Sequence, residues 1–255
     1  MAKRIDFLKI SDYKQLTKEF FILELQSDKA LPEIRPGQFA EIKVEGSPDT
    51  FLRRPFSIHD VDRGSGKIKI LVQIAGKGTE TLSRLRVGDS LNIIYPLGNS
   101  FNLPDHGRKT LLVGGGCGIA PLLFLARYLK NNGITPDILV GFRNSERIIE
   151  YDDYASVGNL FLTTEDGSKG VKGFVTDHPV LKDQIYDKVY CCGPEPMMKA
   201  VAGLCYKKGT DCEVSLENLM GCGIGACLCC VVETVKGNVC TCTDGPVYNI
   251  KELKW

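Results

Sequence analysis

Residues 110–133 read TLLVGGGCGIAPLLFLARYLKNNG. Three apolar residues, Leu111–Val113, lead into a run of glycines. A stretch with apolar residues at helical spacing follows, and a glycine suited to a C-cap closes it. Strand, glycine turn and helix in that order form the opening unit of a parallel sheet. The pattern recurs downstream: DILVGF (137–142) is a second buried strand, and KVYCCG (188–193) leads into PEPMMKAVAGLCYKKG (194–209). Strands alternating with helices predict a doubly wound α/β domain over residues 103–212.

Upstream the grammar differs. The runs FFILELQSD, GQFAEIKVEG, KIKILVQIAG and DSLNIIYPLG are short, alternating and bounded by turn residues. They predict an antiparallel β-barrel over residues 1–102. Downstream, residues 213–255 are rich in Gly and Cys and too few to bury a core, so this third piece needs a staple.

Composition limits what the chain can do. It has 255 residues, 43% of them hydrophobic, with 32 Lys and Arg against 31 Asp and Glu. That balance speaks against nucleic acid or an anionic membrane as partner. No apolar run reaches the ~18 residues of a membrane span, and the N-terminal residues lack a signal-peptide core, so a cytoplasmic location is expected. The eleven cysteines include seven between Cys212 and Cys242, a distribution that favours metal ligation over disulfides.

Three motifs carry chemistry in these pieces. In LRRPFSI (52–58), Arg54 can present a guanidinium fork to a phosphate and Ser57 a hydroxyl. In QIAGKGTETLS (73–83), Gly76 and Gly78 permit close approach of backbone N–H groups to a second phosphate, with Thr79 adding a hydroxyl. VGGGCGIAPL (113–122) offers a helix N-terminus to a pyrophosphate, although Ile119 stands where a G-x-G-x-x-G motif would have its third glycine. Each alone is also what an edge strand or an ordinary turn would contain.

Together and in this order they resemble the ferredoxin reductase family. That resemblance implies FAD binding by Arg54, Pro55, Phe56 and Ser57, by the strand residues Leu71, Val72 and Gln73, and by Gly78 and Thr79. It implies NAD binding by Gly116, Gly118, Ile119, Ala120 and Pro121, and by Cys192, Gly193 and Pro194 of CGPEPM. The family's aromatic is usually Tyr; Phe56 can stack on a flavin but brings no hydroxyl. No 2′-phosphate clamp is evident beyond Arg143, so NAD is expected rather than NADP.

The last piece contains MGCGIGACLCCVVETVKGNVCTC (220–242). Cys222, Cys227 and Cys230 form C-x4-C-x2-C, the loop spacing of a plant-type [2Fe–2S] cluster, with a fourth cysteine further on. Zinc held by Cys227, Cys230, Cys240 and Cys242 is the alternative, and spacing does not choose between Cys240 and Cys242 as the fourth ligand. The run ENLMGCGIGACLCCVV, then CTDGPVY, resembles the electron transfer subunits of NAD-dependent dihydroorotate dehydrogenase B. There the fourth ligand lies two residues before Asp-Gly-Pro-Val. This resemblance implies the set Cys222, Cys227, Cys230 and Cys242, with Cys229 and Cys240 spare.

No Ser/His/Asp triad or paired carboxylates are visible, and His59, His106 and His178 are isolated in the sequence. The chemistry is therefore expected to belong to the cofactors FAD, NAD and a [2Fe–2S] cluster. The resemblance implies a catalytic partner carrying FMN that oxidises dihydroorotate, in a heterotetramer of two plus two. A subunit of another reductase complex, of ferredoxin:NADP reductase, hydrogenase or sulfide dehydrogenase type, is the closest alternative. A zinc-stapled, non-catalytic binding module is the alternative from a different class.

Overall fold

The computed structural model describes residues 3–255. Six strands, β1 (Arg4–Gln15), β2 (Phe20–Gln26), β3 (Phe39–Ile42), β4 (Arg54–Asp62), β5 (Lys67–Gln73) and β6 (Ser90–Leu97), close an antiparallel barrel in the order β1-β2-β5-β4-β3-β6. Alternation fills it: Leu23, Leu25, Ile42, Ile58, Ile68 and Ile70 are fully buried in one cluster. Each such side chain contributes roughly 1.5–3 kcal/mol on leaving water. Two of the strands, β1 and β4, lie outside the four apolar runs, because both mix charged with apolar residues. A short helix, α1 (Lys77–Ser83), occupies the Gly-x-Gly-Thr segment.

The second sheet has seven strands. β7 (Thr110–Gly115), β8 (Asp137–Phe142), β9 (Asn159–Thr164), β10 (Val171–Lys172), β11 (Lys188–Cys192) and β12 (Asp211–Ser215) are parallel, in the order β10-β9-β8-β7-β11-β12. Helices α2 (Ala120–Asn131) and α3 (Tyr151–Ala155) cover one face. Helices α4 (Pro179–Lys182) and α5 (Glu195–Lys208) cover the other. Strand order reverses between β7 and β11, whose carboxyl ends lie side by side, with Cys192 paired to Gly114. That crevice is where open α/β sheets bind ligands.

The C-terminal piece is built into this sheet rather than appended to it. A hairpin, β13 (Val231–Thr234) and β14 (Gly237–Cys240), precedes β15 (Val247–Asn249), which pairs antiparallel with β12 as the seventh strand. The expected cut between residues 212 and 213 falls inside β12. Asn99, in the linker after the barrel, pins the segment further. Its amide nitrogen donates to the Asp244 and Val247 carbonyls (2.8 Å each), and its oxygen accepts the Val247 N–H (2.9 Å). No helix among the described residues is long and apolar enough to cross a membrane.

Barrel and α/β domain share one core, in which Phe20, Ile22 and Leu71 pack with Leu112, Ile119 and Leu122. Polar ties reinforce the seam. Buried His59 meets the Ala120 carbonyl (2.7 Å) and the Glu150 carboxylate (3.0 Å), and Arg147 pairs with Glu19 at 2.5 Å. His59 thus has a carboxylate partner, which its isolation in sequence did not announce.

Candidate functional site for two nucleotides and a metal cluster

The residues expected to hold FAD converge on one wall of the barrel. Arg54–Ser57 begin β4, paired with Phe39–Ile42 of β3, and all four are half-buried and accessible. A β-carbon on Gly78 would stand 3.6 Å from Arg54 Nε and 3.2 Å from Thr50 Cγ2, so the two motifs, separated in sequence, meet in space. Arg54 bonds only carbonyls, those of Leu52 and Arg53, and has no carboxylate partner. Thr79 spends its hydroxyl inside the turn: it accepts from the Ala75 and Gly76 N–H groups (2.9 and 3.1 Å) and donates to the Gly76 carbonyl. On β5, Val72 points into the barrel core, so only its backbone can face a ligand. Leu71 and Gln73 project the other way, Leu71 into the shared core and Gln73 into a cleft.

That cleft, about 630 Å³, opens at the switch point, and it is of the size that takes a nucleotide. Gly116, Gly118, Gly193, Pro194 and Met197 line it from the two turns, with Phe20 and Gln73 on the barrel side. The turns are in direct contact: a β-carbon on Gly115 would lie 2.4 Å from Met197 Sδ. Ile119 and Ala120 are buried beneath the turn, Pro121 is buried in the first turn of α2, and Cys192 is buried under the cleft floor. Their side chains pack beneath the cleft, which holds the turn in place. Arg143 lines the far end, and so do Thr163 and Phe174, which sequence patterns did not single out.

The cysteine loop wraps around thiols. Gly223 and Gly225 adopt left-handed backbone (φ 67° and 82°), which side chains disfavour, and this turns successive N–H groups inward. Ile224, Ala226 and Cys227 N–H donate to Cys222 Sγ (3.5, 3.3 and 3.4 Å), and Gly225 N–H donates to Cys242 Sγ (3.1 Å). Led by the Ile224 N–H, these donors lower the Cys222 thiol to about 6. Burial and the neighbouring Cys230 instead raise Cys242 to about 12. Cys242 N–H donates to Cys230 Sγ at 3.4 Å, brought there by the β13–β14 hairpin.

Cys222 stands against Cys227, and Cys230 stands against both Cys242 and Cys240. Among the described residues no three His, Cys, Asp or Glu side chains close on one metal position. Two thiolates for each of two metals is the donor set of a binuclear iron–sulfur centre, whereas structural zinc takes all four on one ion. The loop therefore fits the cluster. Cys229 is exposed, and its β-carbon borders the same Gly221 position as Cys227 Sγ. Cys240 is buried among Phe39, Leu97 and Met220, beside Cys230.

One acidic residue of this region escaped the motif reading. Glu41, on β3, is fully buried, and neither carboxylate oxygen has a hydrogen-bond partner. Burial raises its carboxyl to about 7, with Arg53 opposing and Cys222 adding to the rise. An acid between Ala40 and Ile42 in an otherwise apolar strand was the available signal.

Comparison with known proteins agrees along the chain. The oxidoreductase FAD-binding domain family matches residues 8–101 and the oxidoreductase NAD-binding domain family residues 112–203. The iron–sulfur cluster binding domain of dihydroorotate dehydrogenase B matches residues 217–254. FAD, NAD and a [2Fe–2S] cluster are thus the cofactors of this chain. Among solved structures, a chain of an NADH-dependent reduced ferredoxin–NADP oxidoreductase superposes with a TM-score of 0.88 at 31% identity, covering 97% of this chain and 90% of that one. The ferredoxin reductase of carbazole 1,9a-dioxygenase, at 22% identity, shares the fold, with a TM-score of 0.70 over 82% of this chain and 67% of that one. The dihydroorotate dehydrogenase B (NAD(+)) electron transfer subunit of Fusobacterium nucleatum is 35% identical over 261 residues, 98% of this chain and 99% of its own. That of Clostridium acetobutylicum is 43% identical over 242 residues, 94% of each, and the chain belongs to this family of electron transfer subunits.

Proposed function

We propose that this chain relays electrons between an FMN-containing, dihydroorotate-oxidising partner and NAD+, in a cytoplasmic complex of two plus two subunits serving pyrimidine synthesis. One observation carries the reading: a single barrel wall carries or adjoins residues expected at all three sites. The outer face of β3 lies under the cysteine loop, neighbouring β4 carries Arg54–Ser57, and Gln73 at the end of β5 reaches the nucleotide cleft.

Nicotinamide exchanges electrons in pairs and an iron–sulfur cluster singly, while flavin does both. The residues of the chain supply placement. Arg54 and the turn at Gly78 hold the FAD pyrophosphate, Pro55, Phe56 and Ser57 flank the flavin with Leu71, Val72 and Gln73, and Thr79 fixes the turn. Gly116, Gly118, Gly193 and Pro194 admit NAD to the cleft. Cys222, Cys227, Cys230 and Cys242 are the cluster ligands. The units are a barrel (1–102), a nucleotide domain (103–212) whose last strand, β12, runs on to Ser215, and a cluster segment (213–255).

Beside the cysteine loop lies an exposed apolar patch. Phe51, Leu219 and Leu228 are 91%, 85% and 65% exposed, and Leu52 lies within 3.9 Å of where a Gly221 β-carbon would stand. Such a patch, rimmed by polar residues, suits a partner subunit seated over the cluster. The similarity to a chain of the ferredoxin–NADP oxidoreductase favours a second reading, in which the same parts serve another reductase complex.

Co-expression with FMN-containing candidate partners, followed by an assay of dihydroorotate-dependent NAD+ reduction, tests the proposal. A stable complex with that activity is expected. A flavin- and iron-loaded chain that is inactive with every such partner but accepts electrons from reduced ferredoxin would replace the first reading with the second.

A further inference from the structure

Strand β3 alternates cleanly. Ala40 and Ile42 enter the barrel core, while Phe39 and Glu41 face outward, where the C-terminal segment covers them. Phe39 packs against Cys230, Cys240 and Cys242. Glu41 meets the cysteine loop itself: a β-carbon on Gly223 would stand 2.8 Å from Glu41 Cγ and 3.3 Å from Oε1. On its other side, Glu41 is paired across the sheet with Pro55, next to Arg54. The carboxyl group thus lies between the strand that carries the flavin motif and the loop that carries Cys222.

No hydrogen bond neutralises Glu41, although the charges of Arg53 and Arg54 act on it. Both of its oxygens lack a donor. The nearest guanidinium, that of Arg53, is spent elsewhere: its Nη1 bonds the Asn92 carbonyl (3.1 Å) and the backbone carbonyl of Glu41 (3.4 Å), and its Nη2 bonds the Asn92 side chain. A buried acid without donors is costly to keep, and a hydrophobic side chain of the same volume would stabilise the seam better. A charge without a hydrogen-bonded partner in a region of low dielectric acts strongly on any redox group nearby, and the potential of an iron–sulfur cluster follows its local charge and hydrogen bonds.

We propose that Glu41 is a positioning residue that sets the reduction potential of the [2Fe–2S] cluster from the barrel side. Its negative charge holds the cluster potential low, which favours passing the electron on. This role rests on the cluster ligation proposed above but adds a residue outside the cysteine motif.

The test uses the full chain carrying FAD and cluster, with the potentials of all variants measured at the same alkaline pH. Redox titration followed by electron paramagnetic resonance gives the cluster midpoint, and visible absorption gives the flavin midpoint. Glu41→Gln and Glu41→Met are expected to raise the cluster midpoint while leaving the flavin midpoint in place. Glu41→Asp, which keeps the charge, should stay near wild type. Unchanged cluster midpoints in both neutral variants, or equal shifts of cluster and flavin, overturn the proposal. If neither neutral variant retains iron while Glu41→Asp does, the carboxylate is a structural requirement of the loop and the potential-setting role is overturned. A wild-type chain without a [2Fe–2S] signal would overturn the ligation and this inference together.

Discussion

Gly118 and Gly193 meet backbone to backbone at the switch point: a β-carbon on Gly118 would stand 2.3 Å from the Cα of Gly193. The contact closes the first turn of the α/β domain onto the turn after β11 and shapes the floor of the nucleotide cleft. Gly118→Ala must push the turns apart, at about 1–3 kcal/mol for an overpacked contact. The expected result is a lower melting temperature and weakened NADH-driven flavin reduction, with FAD content unchanged. Flavin reduction at the wild-type rate would show that the contact does not shape the NAD site.

Cys230 has both Cys240 and Cys242 as thiol neighbours, and the loop N–H of Gly225 singles out Cys242. Cys242→Ser should abolish or severely reduce the visible cluster absorption and the bound iron, because Cys242 faces Cys230 and accepts the Gly225 N–H. Cys229→Ser should leave iron content unchanged, since its thiol, unlike that of the equally exposed Cys227, is not set against Cys222. Cys240→Ser should retain the cluster with some loss of stability, as it places a hydroxyl in the apolar contact with Phe39 and Leu97. Loss of iron in Cys240→Ser with retention in Cys242→Ser would invert the assignment of the fourth ligand.

Much of this was legible in the sequence, and what was missed has identifiable physical causes. The alternation of β2, β5 and β6 and the strand–turn–helix at residues 110–133 announced a barrel followed by a parallel sheet. They did so because burial on one face imposes a period that survives in any one sequence. The glycines at positions 118, 223 and 225 marked close approaches and left-handed backbone, since few other residues tolerate either. What escaped was non-local. β15 has only three residues, and its pairing with β12 is fixed by Asn99 and the sheet edge rather than by a pattern of its own. Glu41 stands out in the sequence only as an acid between Ala40 and Ile42; the segment folded over it is what makes it buried. Likewise, nothing in the chain near His59 announces Glu150, which lies in a different domain.

Arg54 is a guanidinium with no carboxylate partner at the point where the two flavin motifs meet. A charge-assisted bond to phosphate contributes about 1.5–3 kcal/mol, so Arg54→Ala should weaken FAD binding by roughly 10- to 100-fold. Flavin release during gel filtration or dialysis, with the cluster spectrum retained, is the outcome to look for. Full flavin retention would move the pyrophosphate site elsewhere on the barrel.

His59 makes the seam between the two domains sensitive to pH. It is completely buried, which by itself would lower its pKa, but the hydrogen bond and charge of Glu150 and the Ala120 carbonyl outweigh burial and raise it above its ordinary value. In the unfolded chain the imidazole titrates near 6.5, so the folded state binds the proton more tightly. The stabilisation is then fully present below about pH 6.5 and is lost as pH rises through the higher folded-state value. Chemical denaturation across that range should therefore show the wild-type chain losing stability relative to His59→Gln as pH increases. Glu150→Gln, which removes the charge that raises His59, should shrink the same pH dependence. A difference between wild type and His59→Gln that stays constant across the range would mean that the pair is held as a neutral hydrogen bond.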